Sequence, residues 1–582
     1  MLVRSQLGVI ALSAALFAGL AGSAWSSQGL DEVGQATSTI ATSAIEHNSA
    51  LAGIELAFGT DTPIQAVAEE RALADIARGT TAFILTPSRD VVDIPVSLPN
   101  EIHADGAWLR LAARPASDLS NGRISVRVNN GDPIVIRPQA RAMEARFALY
   151  SADFRPGDNT LSISYSADTA DAGWIVDAER SSLRLSLQQT GSISSLEALE
   201  SNLSADFAAP RRIALISEAS DERAAMEGLV AQGLALRAGV VPLLSGDVDS
   251  ADLVVRMGAY EDLNPAEQSA VDAQLRLAGP ALVYMPARQP RLILTGRNRD
   301  EATAAARLFA ARSLAGFDQS FAAADAVSAA RLGQGMARDA RAMVGTNADL
   351  RTFATSGLPF SADQGSRTAV ILSGNSEEDR FGALSILARS ALISEQAWLY
   401  AWYGESDTPA PGNHNLLVLG PGADMHPLVQ RYAPSEMHAA MRAAERSQGQ
   451  RGLMRLAAAA YADGPEAANA ETVNLGVASL FSDTDGRWIG ALTTTAVGSF
   501  ETAGRSLARS DLWGSLEGRA VIWSERGVTV YDYSVAAPTL QDRWREFALD
   551  HTRDLAFVMF GLAFLILIRG IWRRRVHRSS NA

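Results

Sequence analysis

Two long apolar runs bracket this chain, and between them the spacing of hydrophobic positions changes twice. Near the C-terminus, Leu555–Ile568 (LAFVMFGLAFLILI) is unbroken; Arg569 interrupts it, Gly570-Ile571-Trp572 resume it, and Arg573, Arg574, Arg575 and Arg578 close it. As a helix the run rises about 21 Å, short of the roughly 30 Å hydrocarbon core. Continuing to Trp572 gives about 27 Å, with Arg569 snorkelling to the headgroups. The pattern predicts a single transmembrane helix over 553–572 and a cytoplasmic tail over 573–582, oriented by the trailing arginines. Just upstream, Leu540, Trp544, Phe547 and Ala548 share one helical face, with Arg543, Arg545 and Glu546 on the other. That predicts an interface helix over 539–552, an amphipathic helix on a soluble domain being the alternative. Trp544, Phe547 and Trp572 are the expected membrane-interface residues.

At the other end, Arg4 precedes the apolar Leu7–Leu20 and small residues around Ala24 and Ser26. This is the pattern of a signal peptide over 1–26, with an uncleaved anchor as the alternative. Everything between the two runs is then expected outside the cytoplasmic membrane, held by one C-terminal span.

Residues 27–82, rich in Ala, Ser and Thr, read as an N-terminal arm leading into a helix near Ile64–Ile76. From Phe83 the period is two: Trp108/Arg110, Ile124/Val126/Val128, Ile134/Ile136, Phe147/Leu149, Leu161/Ile163/Tyr165 and Leu183/Leu185/Leu187 alternate with polar or small residues. Turn signals at Asn121-Gly122, Asn130-Gly131-Asp132-Pro133 and Pro156-Gly157-Asp158-Asn159 separate them. Short half-buried strands at this spacing predict a jelly-roll β-sandwich over 83–190. From Arg212 the pattern changes again, to compact apolar strands (RIALIS, DLVVR, ALVYM, RLILT) alternating with helical stretches. This predicts a parallel, flavodoxin-like α/β domain over 205–317, covered on both faces. A helical connector over 318–360 and a second, smaller flavodoxin-like domain with C-terminal strands over 365–535 complete the body. The expected fold class is therefore α+β multidomain: sandwich, two α/β domains, one C-terminal span.

Net charge is −14, and six arginines lie in the two end segments, so the exported body is more acidic still. That surface argues against nucleic acid as a partner. Cysteine is absent, and a body of roughly 530 residues can bury adequate cores without disulfides. Lysine is absent, which excludes a Walker loop.

An open α/β sheet binds ligands at the carboxyl ends of its strands. There the chain reads Ser217-Glu218-Ala219-Ser220-Asp221-Glu222 and Met257-Gly258-Ala259-Tyr260-Glu261-Asp262, acidic segments that would repel a phosphate. Gly296-Arg297-Asn298-Arg299-Asp300 reads as a helix start with solvated arginines. The seven histidines show no i,i+4 pair, although His414 and His426 flank one strand. Asp483-Thr-Asp485-Gly486 lacks the distal Glu of a calcium loop and reads as a turn. No Gly-x-Ser-x-Gly elbow is present. No catalytic residue, metal or cofactor is expected, and the chain reads as a non-enzyme. Aromatics remain: Trp174, Trp108 and Tyr150 are the candidate carbohydrate-binding residues, because sugar C–H faces pack on π surfaces. Trp108 and Tyr165 fall in what reads as the core-facing phase, whereas Trp174 follows a loop-like stretch.

The order of parts resembles the periplasmic B subunit of bacterial cellulose synthase, a family often labelled as cyclic di-GMP-binding regulators of cellulose biosynthesis. Arg123–Asn130 (RISVRVNN) with Pro156–Leu161, Leu292–Ala306 (LILTGRNRDEATAAA), Asn413–Gly420 (NHNLLVLG), Gly486–Thr495 (GRWIGALTTT) and Leu540–Arg575 carry the likeness. This chain departs from the family in lacking room for a second sandwich within 318–360. The resemblance implies an accessory role. The C-terminal helix would dock on a membrane-embedded glycosyltransferase, the cellulose synthase catalytic subunit, among inner-membrane lipids, and the body would guide nascent polysaccharide. It implies no flavin. An exported body does not meet a cytoplasmic dinucleotide, so cyclic di-GMP sensing would belong to the catalytic partner. A free-standing, membrane-anchored carbohydrate-binding protein and a polysaccharide hydrolase are the alternatives.

Overall fold

The computed structural model describes residues 67–530, apart from 78, 117–121, 139–140, 167–172, 288, 324–347, 375, 462–473 and 496–498. The expected signal peptide, interface helix, membrane span and tail, with Trp544, Phe547 and Trp572, lie outside the described residues. Among the described residues, no helix is long and apolar enough to cross a membrane.

Alternation of period two builds the first unit. Its strands are β1 (Val67–Ala72), β2 (Ala82–Leu85), β3 (Val91–Leu98), β4 (Ile102–Pro115), β5 (Arg123–Val128), β6 (Ile134–Ile136), β7 (Met143–Leu149), β8 (Gly157–Ser166), β9 (Trp174–Asp177) and β10 (Ser182–Gln189). One sheet runs β1-β10-β4, with β7 on the far flank of β4 and the β9/β2 pair at its end; the other runs β3-β8-β5-β6. All pairings are antiparallel. Without the β2/β9 pair, the eight remaining strands are ordered 1-8-3-6 and 2-7-4-5, which is jelly-roll order. Leu109, Leu111, Ile124, Val126, Leu161, Ile163, Leu183 and Leu185 fill the core between the sheets. The unit begins earlier than residue 83. Val67–Ala72, placed in the arm from sequence, forms the edge strand β1 because Leu73 and Ile76 of the following short helix bury in the same core.

The Asn159 turn motif has a physical role. Gly157 sits at φ +84°, and Asn159 is buried. Asn159 ties Arg155 through both its N–H and its carbonyl and accepts from Asn129 at 2.9 Å, locking two loops together.

The next unit contains β11 (Arg212–Ser217), helix α1 (Arg223–Ala238), β12 (Leu243–Ser245), β13 (Leu253–Ala259), α2 (Pro265–Gln274), β14 (Ala281–Met285), β15 (Arg291–Gly296), α3 (Arg299–Ala311) and β16 (Ser320–Ala322). The last comprises β17 (Thr368–Leu372), α4 (Glu377–Ser394), β18 (Trp402–Glu405), β19 (Asn415–Gly420), α5 (Ser435–Tyr461), β20 (Gly476–Ser482), β21 (Trp488–Thr494), α6 (Phe500–Leu507), β22 (Ala520–Ser524) and β23 (Gly527–Val530). Neither sheet is the all-parallel one expected. In the first, β14 runs antiparallel between β15 and β16. Only five residues separate β14 from β15, too few for a parallel crossover, so the two close as a hairpin. The second sheet repeats this with β20 and β21.

The strand orders, β12-β11-β13-β15-β14-β16 and β18-β17-β19-β21-β20-β22-β23, are both 2-1-3-5-4-6, with one strand added at the end of the second. The two α/β units are thus repeats of one topology, and the second is not the smaller. They pack reciprocally: α1 lies on α4, α1 meets β18, and α4 meets β12, as in a local twofold. Gly228 and Gly382 are each the sixth residue of their helices; Gly228 permits the approach of β18 and α4, whereas Gly382 admits α6 within its own unit. A Cβ at Gly382 would stand 2.5 Å from the Phe500 carbonyl oxygen, and one at Gly228 would stand 2.9 Å from the Tyr403 ring. One apolar core runs through both units. Of the expected helical connector, the described ends are β16 and the helix Leu350–Ser356, whose Leu350 and Phe353 join that core.

Candidate carbohydrate-binding face

Strand β4 is hydrogen-bonded on both sides, to β10 and to β7, so its two side-chain phases are sharply divided. Ala107, Leu109 and Leu111 point into the sandwich and are 0–2% exposed. Trp108 is half-buried on the opposite, outward phase. This corrects the core-facing reading of Trp108. It shares a phase with Arg110, and the neighbouring leucines take the interior at no desolvation cost. The six-membered end of its indole lies over Gly106, whose missing side chain leaves the strand surface clear.

The register places a row across the sheet: Glu70 on β1, Arg184 on β10, Trp108 on β4 and Ala148 on β7. The next row holds Ala72, Ser182, Arg110 and Arg146. Tyr150, 59% exposed, follows β7 in extended conformation and in phase with Ala148, which adds a second aromatic to this face. The Ser182 hydroxyl donates to Glu70 at 2.5 Å. That bond, with Arg110, Arg146 and Arg184 nearby, holds the Glu70 carboxyl below its ordinary range.

Trp174 does not belong here. It is fully buried, opposite Leu85 and Pro115, and so cannot meet a sugar without unfolding the core. Tyr165 is likewise core. The structure therefore brings Trp108 and Tyr150 to one face and removes Trp174. Sequence reasoning passed over Glu70, Arg110, Arg146 and Arg184, because cross-strand neighbours from four strands come together only in the sheet. The shared phase of Trp108 and Arg110 was the available signal.

The α/β units use their strand ends differently from a nucleotide-binding sheet. Where β11 and β18 end, the buried Glu227 carboxylate accepts from Ser217 at 2.5 Å and from Arg223 at 2.9 Å, with Arg380 3.7 Å away. Arg223 also reaches Glu377, and Arg380 reaches Glu405, so the crevice is occupied by the protein's own ion pairs. The neighbouring cavity, about 320 Å³, is lined by Glu222, Glu261, Asn298, Arg299 and Asp300. Its three carboxylates oppose a phosphate. Asn298 caps α3, and the exposed Arg297 and Arg299 pair with Glu301 and Asp262. Asp483 spends its oxygens on the N–H groups of Asp485 and Arg487 and on the Arg487 guanidinium, so the Asp483–Gly486 segment is a turn. His414 is bonded to Asn413 and His426 caps a helix. Burial lowers the pKa of both histidines. Among the described residues, no cluster of three metal-ligating side chains occurs.

No family model matches the chain, and no curated protein matches it. Solved structures do. A CBM35 from Cellvibrio japonicus Abf62 is 13% identical, with 19% of this chain and 98% of that one covered, at a TM-score of 0.13. The CBM36-1 domain of a multidomain xylanase from the hindgut metagenome of Trinervitermes trinervoides is 8% identical, covering 20% and 96%, at 0.15. A family two carbohydrate esterase from Cellvibrio japonicus is 11% identical, covering 33% and 68%, at 0.13. At these scores the likeness carries no argument.

Proposed function

We propose that this chain is a non-catalytic, carbohydrate-binding subunit of a bacterial exopolysaccharide synthase. It is held in the inner membrane by its C-terminal segment, with its bulk in the periplasm, where it guides nascent polymer from a membrane-embedded glycosyltransferase. The observation that carries this reading is the outward face around Trp108 and Tyr150, an open aromatic strip on a rigid sheet flanked by charged side chains that can hydrogen-bond hydroxyls. The strand-end ion pairs of the α/β units support a scaffolding role for them, and the sequence likeness to the cellulose synthase B subunit supports the assembly.

Glycan binding by the purified full-length chain tests the first half. Trp108→Ala should weaken binding roughly threefold to tenfold, the range expected for one aromatic contact. Unchanged binding in that variant removes the site. Copurification from detergent with a multi-span glycosyltransferase, and loss of polymer synthesis on deleting 540–582, test the second half. Glycan binding without a copurifying synthase would instead favour a free-standing envelope carbohydrate-binding protein, which the same aromatic strip would serve.

A further inference from the structure

The arginines around Trp108 bear on which polymer is bound, a question that rests on the carbohydrate-binding reading above. Arg110 and Arg146 are direct cross-strand partners, and both are exposed. Like charges directly opposite one another in a sheet repel and weaken it. Arg184 stands in the neighbouring row, opposite Trp108. Among the described residues, none of these three guanidiniums lies within ion-pairing distance of a carboxylate. Glu70, the acid closest in register, sets one negative charge against the three and accepts from Ser182, and Glu144 farther along β7 pairs with Arg180. In a chain with net charge −14, this face thus carries an excess of positive charge centred on an aromatic ring. A neutral glucan would leave the Arg110–Arg146 repulsion standing; an anion between them relieves it.

We propose that the outward face of β1, β10, β4 and β7 binds an acidic polysaccharide, one whose sugars carry carboxylates, with Trp108 stacking on a ring face and Arg110, Arg146 and Arg184 meeting the acid groups. Neighbouring strands are spaced about 4.8 Å apart, so the three arginines offer adjacent positions to successive acid groups of an extended chain. The aromatic strip favours a glycan over an anionic bilayer, which needs no ring stacking.

The test measures binding of the full-length chain to polyuronate oligomers and to neutral β-glucan oligomers of equal length at low and high salt, with anionic phospholipid vesicles alongside. The expected result is polyuronate binding that weakens as salt rises, since exposed charges are screened beyond about 10 Å at 0.1 M. Arg110→Gln and Arg146→Gln should each lower it roughly twofold to fivefold, the range for exposed charge pairs. Both positions are exposed and each change relieves the cross-strand repulsion, so the melting temperature should hold or rise slightly. Neutral glucan bound as well as polyuronate, with no effect of salt or of the arginine changes, would overturn the inference and leave the carbohydrate-binding reading standing. Binding of neither glycan would overturn that reading too. Anionic vesicles bound in preference to polyuronate would replace the glycan with a membrane surface and overturn the inference.

Discussion

The six-membered ring of Trp108 rests where a side chain of Gly106 would begin: a Cβ on Gly106 would stand 2.6 Å from Cη2 and 2.8 Å from Cζ3 of the indole. The absence of a side chain two residues earlier on the same strand thus holds the aromatic flat on the sheet.

Gly106→Val should therefore lift the ring without harming the fold. The clash is with the far end of a half-buried side chain, which can swing outward, and Val suits a strand. The expected change in stability is within about 0.5 kcal/mol. Glycan binding should fall as in Trp108→Ala. A glycan-binding isotherm with a parallel melting curve checks this; wild-type affinity in the variant would mean the ring orientation is irrelevant.

Glu227 is the sole carboxylate wholly buried in the Arg223–Arg380 network among the described residues, at 0% exposure. Removing it by Glu227→Ala leaves two largely buried guanidiniums with only the exposed Glu377 and Glu405 as partners, a loss of about 3 kcal/mol. Arg380→Gln should cost less, since Arg223 still pairs with Glu227. Urea unfolding of the two variants should rank them in that order, and equal midpoints would contradict the network.

Alkaline pH should loosen the contact between the α/β units. Tyr403 bridges them by donating to the Trp398 carbonyl at 2.8 Å while accepting from Gln232. Burial pushes the phenols of Tyr403 and Tyr284 up. A folded pKa raised above the unfolded value of about 10 favours the protonated form in the fold. The contribution is therefore intact below about pH 10 and fades as pH climbs toward the folded pKa. Melting temperature should fall across that window, less steeply in Tyr403→Phe; a flat profile would refute the assignment.

Much of this fold was legible in the chain because its signals are local. Leu161/Ile163/Tyr165 and Leu183/Leu185/Leu187 show period two, and a strand with one buried face must show it. The gap of five residues between β14 and β15 already excluded a parallel crossover, although the apolar runs alone read as parallel strands. The candidate site was legible only in part. Trp174 was left open between face and core because it follows a loop-like stretch, and pairing with Leu85 and Pro115 sealed it in the core. Trp108 looked interior until Leu109 and Leu111 were seen to take that side.

By itself, the order of amino acids determined most of the strands and helices, the change of period between the sandwich and the α/β units, and that the strand ends are too acidic for a phosphate. Those are properties of residues close together in sequence. Only the tertiary structure decided that two α/β units repeat one strand order and pack reciprocally, and that Glu70, Arg184, Arg110 and Arg146 gather around Trp108. These facts depend on register between strands far apart in the chain, where a shift of one residue would turn every side chain to the other face.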